Sequence, residues 1–267
     1  MVIVGDISGH GPDALEGTNS VRAQLHALLE TGMTPRAAIA LVGERSPVQL
    51  AGRFSTVVVA IHDPADGTLT YATAGHAPPV IACDEADELL SAGASPPIGV
   101  ELRTGLRETT VALPPGCTCC FYTDGIVEAK NGDGMIGRER LAELVTGLGP
   151  RDQAEVLLER VLAETHHPAD DMTILLLRPV AAAVVRPPRI EVLELDGDDV
   201  DCGFAERFLE ACDVPEAERV AAIEQARAAI GADGAALLEV TVGNGSGSAR
   251  VTAAPAGSAP AAAAEPA

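Results

Sequence analysis

The sequence predicts an α+β fold, with a separate small α/β unit behind the main domain. Three observations carry this. Phe54 to Ile61 is a near-continuous apolar run that Asp63-Pro64-Ala65-Asp66-Gly67 turns back into Thr68 to Thr73, which reads as a hairpin. Leu15, Thr18, Val21, Leu25, Leu28 and Leu29 recur at helical spacing within 13–31, until Gly32 stops the run. From Val180 to Arg189 the chain is mostly Ala, Val and Pro without a period, a linker that divides it.

Taken in order, Val2-Ile3-Val4 opens a buried strand that presents Asp6 at its tip and runs into a loop with Gly at positions 5, 9 and 11. The glycines let the backbone turn tightly and approach whatever the carboxylate holds. Pro12 and Asp13 then start the first helix. Strand, acidic tip, glycine loop and helix suit a hard cation with a free coordination side; an ordinary turn with a capping Asp is the alternative. A nucleophile elbow does not fit, because it needs Gly where this chain has Asp6 and His10. Phosphate-loop and dinucleotide fingerprints fail on glycine spacing.

Thr34-Pro35 caps a second helix through about Glu44, with Ile39 and Val42 inward. Ala74-Gly75-His76-Ala77-Pro78-Pro79 breaks the ladder before a short strand, Val80 to Ala82. Pro96 to Val100 begins a strand pair that reaches Thr109 to Leu113. Cys119 to Tyr122 is a short buried strand ending at Thr123-Asp124-Gly125, a second acidic tip. Helices follow Gly137 and span about Arg151 to Glu164. His166-His167-Pro168-Ala169-Asp170-Asp171 leads into a strand from Met172 to Leu177, so its entry is doubly acidic. The accessory unit reads Ile190–Leu195 strand, Phe204–Ala211 helix, Glu216–Ile230 helix and Ala235–Val242 strand. Residues 243–267, rich in Gly, Ser, Ala and Pro, read as a disordered tail.

The core must be aliphatic, since 47% of 267 residues are hydrophobic but only four are Phe, two Tyr and none Trp. A net charge of −21 argues against a nucleic-acid or anionic-membrane surface. Of the six Cys, the cluster Cys117, Cys119 and Cys120 is too tight for a disulfide framework and weak as a zinc site. Buried small hydrophobes in a reduced, cytoplasmic protein are the expectation. No run approaches the ~20 apolar residues of a membrane helix.

Asp6, Asp124 and Asp170 each stand where a strand meets a loop. Three carboxylates at strand ends repel one another unless a cation lies between them. Oxygen ligation with room for water suits Mg²⁺ or Mn²⁺, and two such ions ~3.5–4 Å apart can clamp an in-line phosphoryl displacement.

Val-Gly-Asp-Ile-Ser-Gly-His-Gly, Phe-Ser-Thr-Val-Val-Val-Ala, Ala-Gly-His-Ala-Pro-Pro, Pro-Pro-Ile-Gly, Phe-Tyr-Thr-Asp-Gly-Ile-Val-Glu-Ala and Asp-Asp-Met-Thr occur in that order over about residues 1–178. Together they resemble the metal-dependent protein phosphatases (PPM), in their bacterial SpoIIE-like, RsbU-like branch. The resemblance implies an α-β-β-α sandwich of two antiparallel sheets flanked by helices over 1–179, with a two-metal Mn²⁺/Mg²⁺ site at one end. It implies hydrolysis of phosphoserine or phosphothreonine on a protein, such as an anti-anti-sigma (STAS-type) regulator in partner-switching signalling. Asp6 would bridge both metals, with the carbonyl of Ile7 as a further ligand. Asp124 would bind the first metal and Asp170 would complete it, Asp171 standing where the family has Asn; which of that pair ligates is left open. His10 and His76 read as loop-shaping and structural, and His166-His167 as solvent-exposed.

The family has two further strands before the opening motif, the second with a Gly-Gly-Asp whose Asp helps hold the second metal. No Gly-Gly-Asp occurs in this sequence. The expectation is therefore an N-terminally incomplete domain, a weakened second metal, and self-association through the open edge at Val2-Ile3-Val4. Competing readings are a catalytically weak binding module that sequesters a phosphoprotein, and a purely structural protein with acidic turns.

Overall fold

A computed structural model describes residues 1–50, 52–83, 95–100, 103–132, 134–165, 171–179, 189–243 and 246–253. They fall into two compact units, one of 1–105 with 111–187, the other of 106–110 with 188–267.

The first unit is layered. Strands β1 (Val2–Ile7), β2 (Ser55–Asp63) and β3 (Thr68–Ala74) pair antiparallel in that order, with Asp6 opposite Thr56 and Ile7 opposite Ser55. Strands β4 (Val80–Ala82), β6 (Thr118–Tyr122) and β9 (Ile174–Leu177) form a second antiparallel sheet, with β6 central. Strand β5 (Arg107–Ala112) gives Val111 and Ala112 to this unit and Arg107 to Thr110 to the other. Helices α1 (Pro12–Glu30) and α2 (Pro35–Gln49) lie before β2. The turn α3 (Asp124–Val127), the small hairpin β7 (Lys130–Asn131) and β8 (Gly134–Met135), and helices α4 (Gly137–Thr146) and α5 (Ala154–Glu164) lie between β6 and β9.

Period-two alternation sends each strand's side chains to two different cores. On β2, Val57 and Val59 join Ile7, Val21, Leu25 and Ile39 beneath α1 and α2, while Val58 and Ala60 join Val4, Leu69, Cys119 and Phe121 between the sheets. On β6, Cys120 and Tyr122 turn the other way, onto Leu141, Leu157 and Val161 of α4 and α5. Three successive cores make the helix–sheet–sheet–helix layering.

In the second unit, β10 (Arg189–Leu195) lies between Arg107–Thr110 and β11 (Ala236–Gly243), and β12 (Ser246–Ala253) pairs with β11. Helices α6 (Gly197–Asp201), α7 (Phe204–Ala211) and α8 (Glu216–Asp233) connect β10 to β11. Glu191, 1% exposed, is satisfied by Arg107 Nε at 3.0 Å, the Thr109 hydroxyl at 2.6 Å and Arg189 Nε at 3.2 Å. Arg107 also stacks over Phe208.

Several expectations are corrected. The segment after 243 is not all tail, since Ser246–Ala253 is ordered by the β11 ladder; 254–267 lies outside the described residues. Cys83 and Cys117 form a disulfide, because the register Ala82 opposite Thr118 sets them as the next cross-strand neighbours. Cys119 and Cys120 are free and buried, as a small-hydrophobe role requires. Helix α2 runs on to Gln49, delivering Leu50 into the core. Pro96 to Val100 makes no strand, only a bridge in which Ser55 and Ile98 exchange two backbone hydrogen bonds. Of the expected linker, 180–189, Arg189 instead opens β10 and 180–188 lies outside the described residues. Among the described residues no helix is long and apolar enough to cross a membrane.

Candidate metal centre

The tip of β1 is shaped by contacts that leave its carboxylate outward. A Cβ on Gly5 would strike the Thr56 carbonyl oxygen, so only glycine lets β1 and β2 close here. The Ser55 hydroxyl donates to the Asp6 carbonyl at 2.8 Å, and the Ile7 N–H donates to Asp6 Oδ1 at 2.8 Å. Gly9 and Gly11 take positive φ, which turns the loop into α1. Ser8 accepts from the Phe54 N–H at 2.9 Å, so its hydroxyl anchors the loop to β2. His10 is exposed, in line with a loop role.

The second tip follows β6. Asp124 opens α3, and its Oδ1 accepts from the Gly125 N–H at 2.9 Å. Thr123 is the clamp beneath it: its hydroxyl donates to the Asp171 carbonyl at 3.0 Å and accepts from the Thr173 N–H at 3.0 Å. Asp171 is thereby fixed beside the Asp124 tip. Asp170, His166 and His167 lie outside the described residues. Among the described residues no three His, Cys, Asp or Glu side chains converge as a metal cluster.

His76 joins the two tips. It sits at 5% exposure in the turn after β3, where Gly75 has positive φ and Pro97 fills the space a Cβ would need. Its Nε2 meets the Tyr122 carbonyl at 2.9 Å and its Nδ1 the Thr56 hydroxyl at 3.1 Å. A carbonyl only accepts, so Nε2 carries the proton and Nδ1 accepts from Thr56. Burial lowers its pKa below the ordinary 6.5; the Tyr122 hydrogen bond and the charges of Asp124 and Asp6 work the other way. The ring thus links the cross-strand partner of Asp6 to the backbone two residues ahead of Asp124.

The donor set fits a hard cation. Asp6 and Asp124 each spend one oxygen on an adjacent N–H, and among the described residues neither pairs with Lys or Arg. Unneutralised carboxylates near one another are a site for a hard ion with oxygen ligands. A cavity of about 400 Å³ lies alongside, lined by Ile7, Asp13, Glu16, Gly17, Ser20, Leu50 and Arg53. Arg53 reaches Asp13 at 3.5 Å and runs past Gly9. Sequence reasoning passed over Arg53 and the bridging role of His76. The signal available for Arg53 was its place just before β2, whose Ser55 lies opposite Ile7.

Two antiparallel sheets between helix layers, with acidic strand tips, define a PP2C-type (PPM) phosphatase domain. Residues 1–180 match the Stage II sporulation protein E (SpoIIE) family, and the chain belongs to that family. The fold is similar to the PP2C domain of SiaA from Pseudomonas aeruginosa, at 25% identity and TM-score 0.53, over 66% of this chain and 73% of that one. It is also similar to the RsbU and RsbW domains of a Mycobacterium tuberculosis protein, at 23% identity and TM-score 0.52, over 88% of this chain and 72% of that one. That share exceeds what residues 1–180 alone make up. Against the phosphatase domain and regulatory-domain fragment of Bacillus subtilis SpoIIE the values are 23% and 0.52, over 66% of this chain and 53% of that one.

Proposed function

We propose that the chain is a metal-dependent protein serine/threonine phosphatase whose substrate is a phosphorylated regulatory protein of anti-anti-sigma (STAS) type. The supporting observation is the His76 ring, whose hydrogen bonds join Thr56, the cross-strand partner of Asp6, to the Tyr122 carbonyl two residues ahead of Asp124. In this reading Asp6, the Ile7 carbonyl, Asp124 and Asp170 hold Mn²⁺ or Mg²⁺, with Asp171 beside them. When bound, the ions supply a water of lowered pKa and neutralise charge on the phosphoryl oxygens. The chain's own part is to present the Asp6 and Asp124 oxygens where β1 and β6 end. Arg53, on the rim of the adjacent cavity, gives a phosphoryl group a cationic partner in an otherwise acidic surface. The substrate class rests on membership of the SpoIIE family and on likeness to the SiaA domain.

The test is Mn²⁺-dependent hydrolysis of p-nitrophenyl phosphate and of a phosphoserine-bearing STAS protein. Asp124→Asn removes a charged ligand and should reduce turnover at least a hundredfold with the melting temperature preserved, because ion-dependent chemistry has no substitute nucleophile here. Full activity of Asp124→Asn would refute the assignment.

A further inference from the structure

The feature with the most reach outside the carboxylates themselves is the buried imidazole between the two sheets. We infer that His76 is a positioning residue, which sets the separation of Asp6 and Asp124 by tying Thr56 of β2 to the Tyr122 carbonyl at the end of β6. This rests on the metal reading above and adds a determinant of metal affinity that touches no metal.

Thr56 stands opposite Asp6 in the β1–β2 register, so the two side chains leave the same face of that sheet. Tyr122 is the last residue of β6, and Thr123-Asp124 follow it directly. One rigid ring therefore spans from the cross-strand partner of one carboxylate to the backbone just ahead of the other, through bonds of 3.1 Å and 2.9 Å. The ring is 5% exposed and its turn is held from behind, the Gly75 N–H donating to the Ser95 carbonyl at 2.7 Å. Each ring nitrogen has one role, Nε2–H as donor and Nδ1 as acceptor, so the ring orientation is fixed from both ends. A packed, doubly hydrogen-bonded link of this kind is what holds ligands at a productive spacing, and partners outside the ligand set typically govern on the order of 10- to 100-fold in metal affinity.

Three variants of the full chain, read by Mn²⁺ calorimetry and thermal melting, decide the matter. His76→Ala cuts the link; Thr56→Val removes only the hydroxyl that Nδ1 accepts from, with little change of shape; Val161→Ala creates a cavity in the α5 core that also holds the Tyr122 side chain, and removes neither hydrogen bond of the link. His76→Ala and Thr56→Val should weaken Mn²⁺ binding roughly tenfold or more, by the range for such outer partners, while Val161→Ala lowers the melting temperature and leaves Mn²⁺ affinity unchanged. The ¹⁵N spectrum of metal-free protein should show His76 as the Nε2–H tautomer. If His76→Ala does not fold, Thr56→Val alone carries the decision. Unchanged affinity in Thr56→Val and in any folded His76→Ala overturns the positioning role and leaves the metal reading standing. Equal weakening in Val161→Ala, or an Nδ1–H tautomer, also overturns it. Wild-type chain that binds no Mn²⁺ overturns the metal reading and this inference together.

Discussion

A single imidazole shows how burial and hydrogen bonding set a residue's chemistry in this protein. His76 is kept neutral because desolvation outweighs its carbonyl partner and the two nearby carboxylates. The unfolded chain's imidazole titrates near 6.5 and the folded one below it. Between those values the unfolded state binds more protons, so stability rises with pH there. The contribution of His76 is complete above pH 6.5 and is lost as the pH falls through that value toward the folded pKa, at up to about 1.4 kcal/mol per pH unit. Urea melts of wild type and His76→Gln at pH 7.5 and pH 5.5 isolate this group from the other acids and histidines. Wild type should lose more stability than the variant over that interval; equal losses would mean that His76 is protonated in the fold. The same residue was legible in the sequence only as part of a Gly-His turn. Its partners Thr56 and Tyr122 lie 20 and 46 positions away, and no local pattern announces either.

The elements were legible wherever an apolar period or a hairpin turn marks them. Strands β2, β3 and β6 follow from runs such as Val57-Val58-Val59-Ala60, because a strand buried on both faces needs apolar residues throughout. Asp6 and Asp124 were legible for the same reason: each interrupts such a run at its end. Strand β12 was not, since Ser-Gly-Ser-Ala-Arg-Val-Thr-Ala has no strand signature of its own and is ordered by its partner, β11. The disulfide was hidden likewise, because Cys83 lies 34 residues from Cys117 and their meeting depends on the β4–β6 register. That bond has a consequence of its own. It closes a loop whose chain-entropy value is about 3–4 kcal/mol. Cys83→Ser should therefore lower unfolding free energy by about 2–4 kcal/mol under oxidising conditions. Dithiothreitol should lower wild type by a like amount and leave Cys83→Ser unchanged; a wild type insensitive to reductant would show that the bond does not form in solution.

Over the whole molecule, the acidic tips and the accessory unit separate cleanly by residue. Asp6, Ile7, His76, Asp124 and Asp171 all belong to the first unit, together with the cores that fix β1 and β6. The division is not a single cut in the chain, however. Arg107 to Thr110, from the middle of the phosphatase segment, pair with β10 and belong to the second unit. A chain ended at Pro179 loses Glu191, which Arg107 and Thr109 satisfy at 3.0 Å and 2.6 Å. Arg107, with only 12% of its side chain exposed, would then lose its carboxylate and Phe208 together. Removing one partner of a buried pair commonly costs about 3–5 kcal/mol, because the other charge is left unmatched. Here the newly opened edge lets water reach Arg107, which reduces that cost. Ending the chain at Pro179 should therefore lower the melting temperature by several degrees without abolishing folding. Mn²⁺ affinity measured by calorimetry should match the full chain, since no ligand and no part of the His76 link is removed. Loss of Mn²⁺ binding by a shortened chain that still melts cooperatively would show that residues beyond 179 help hold the metal.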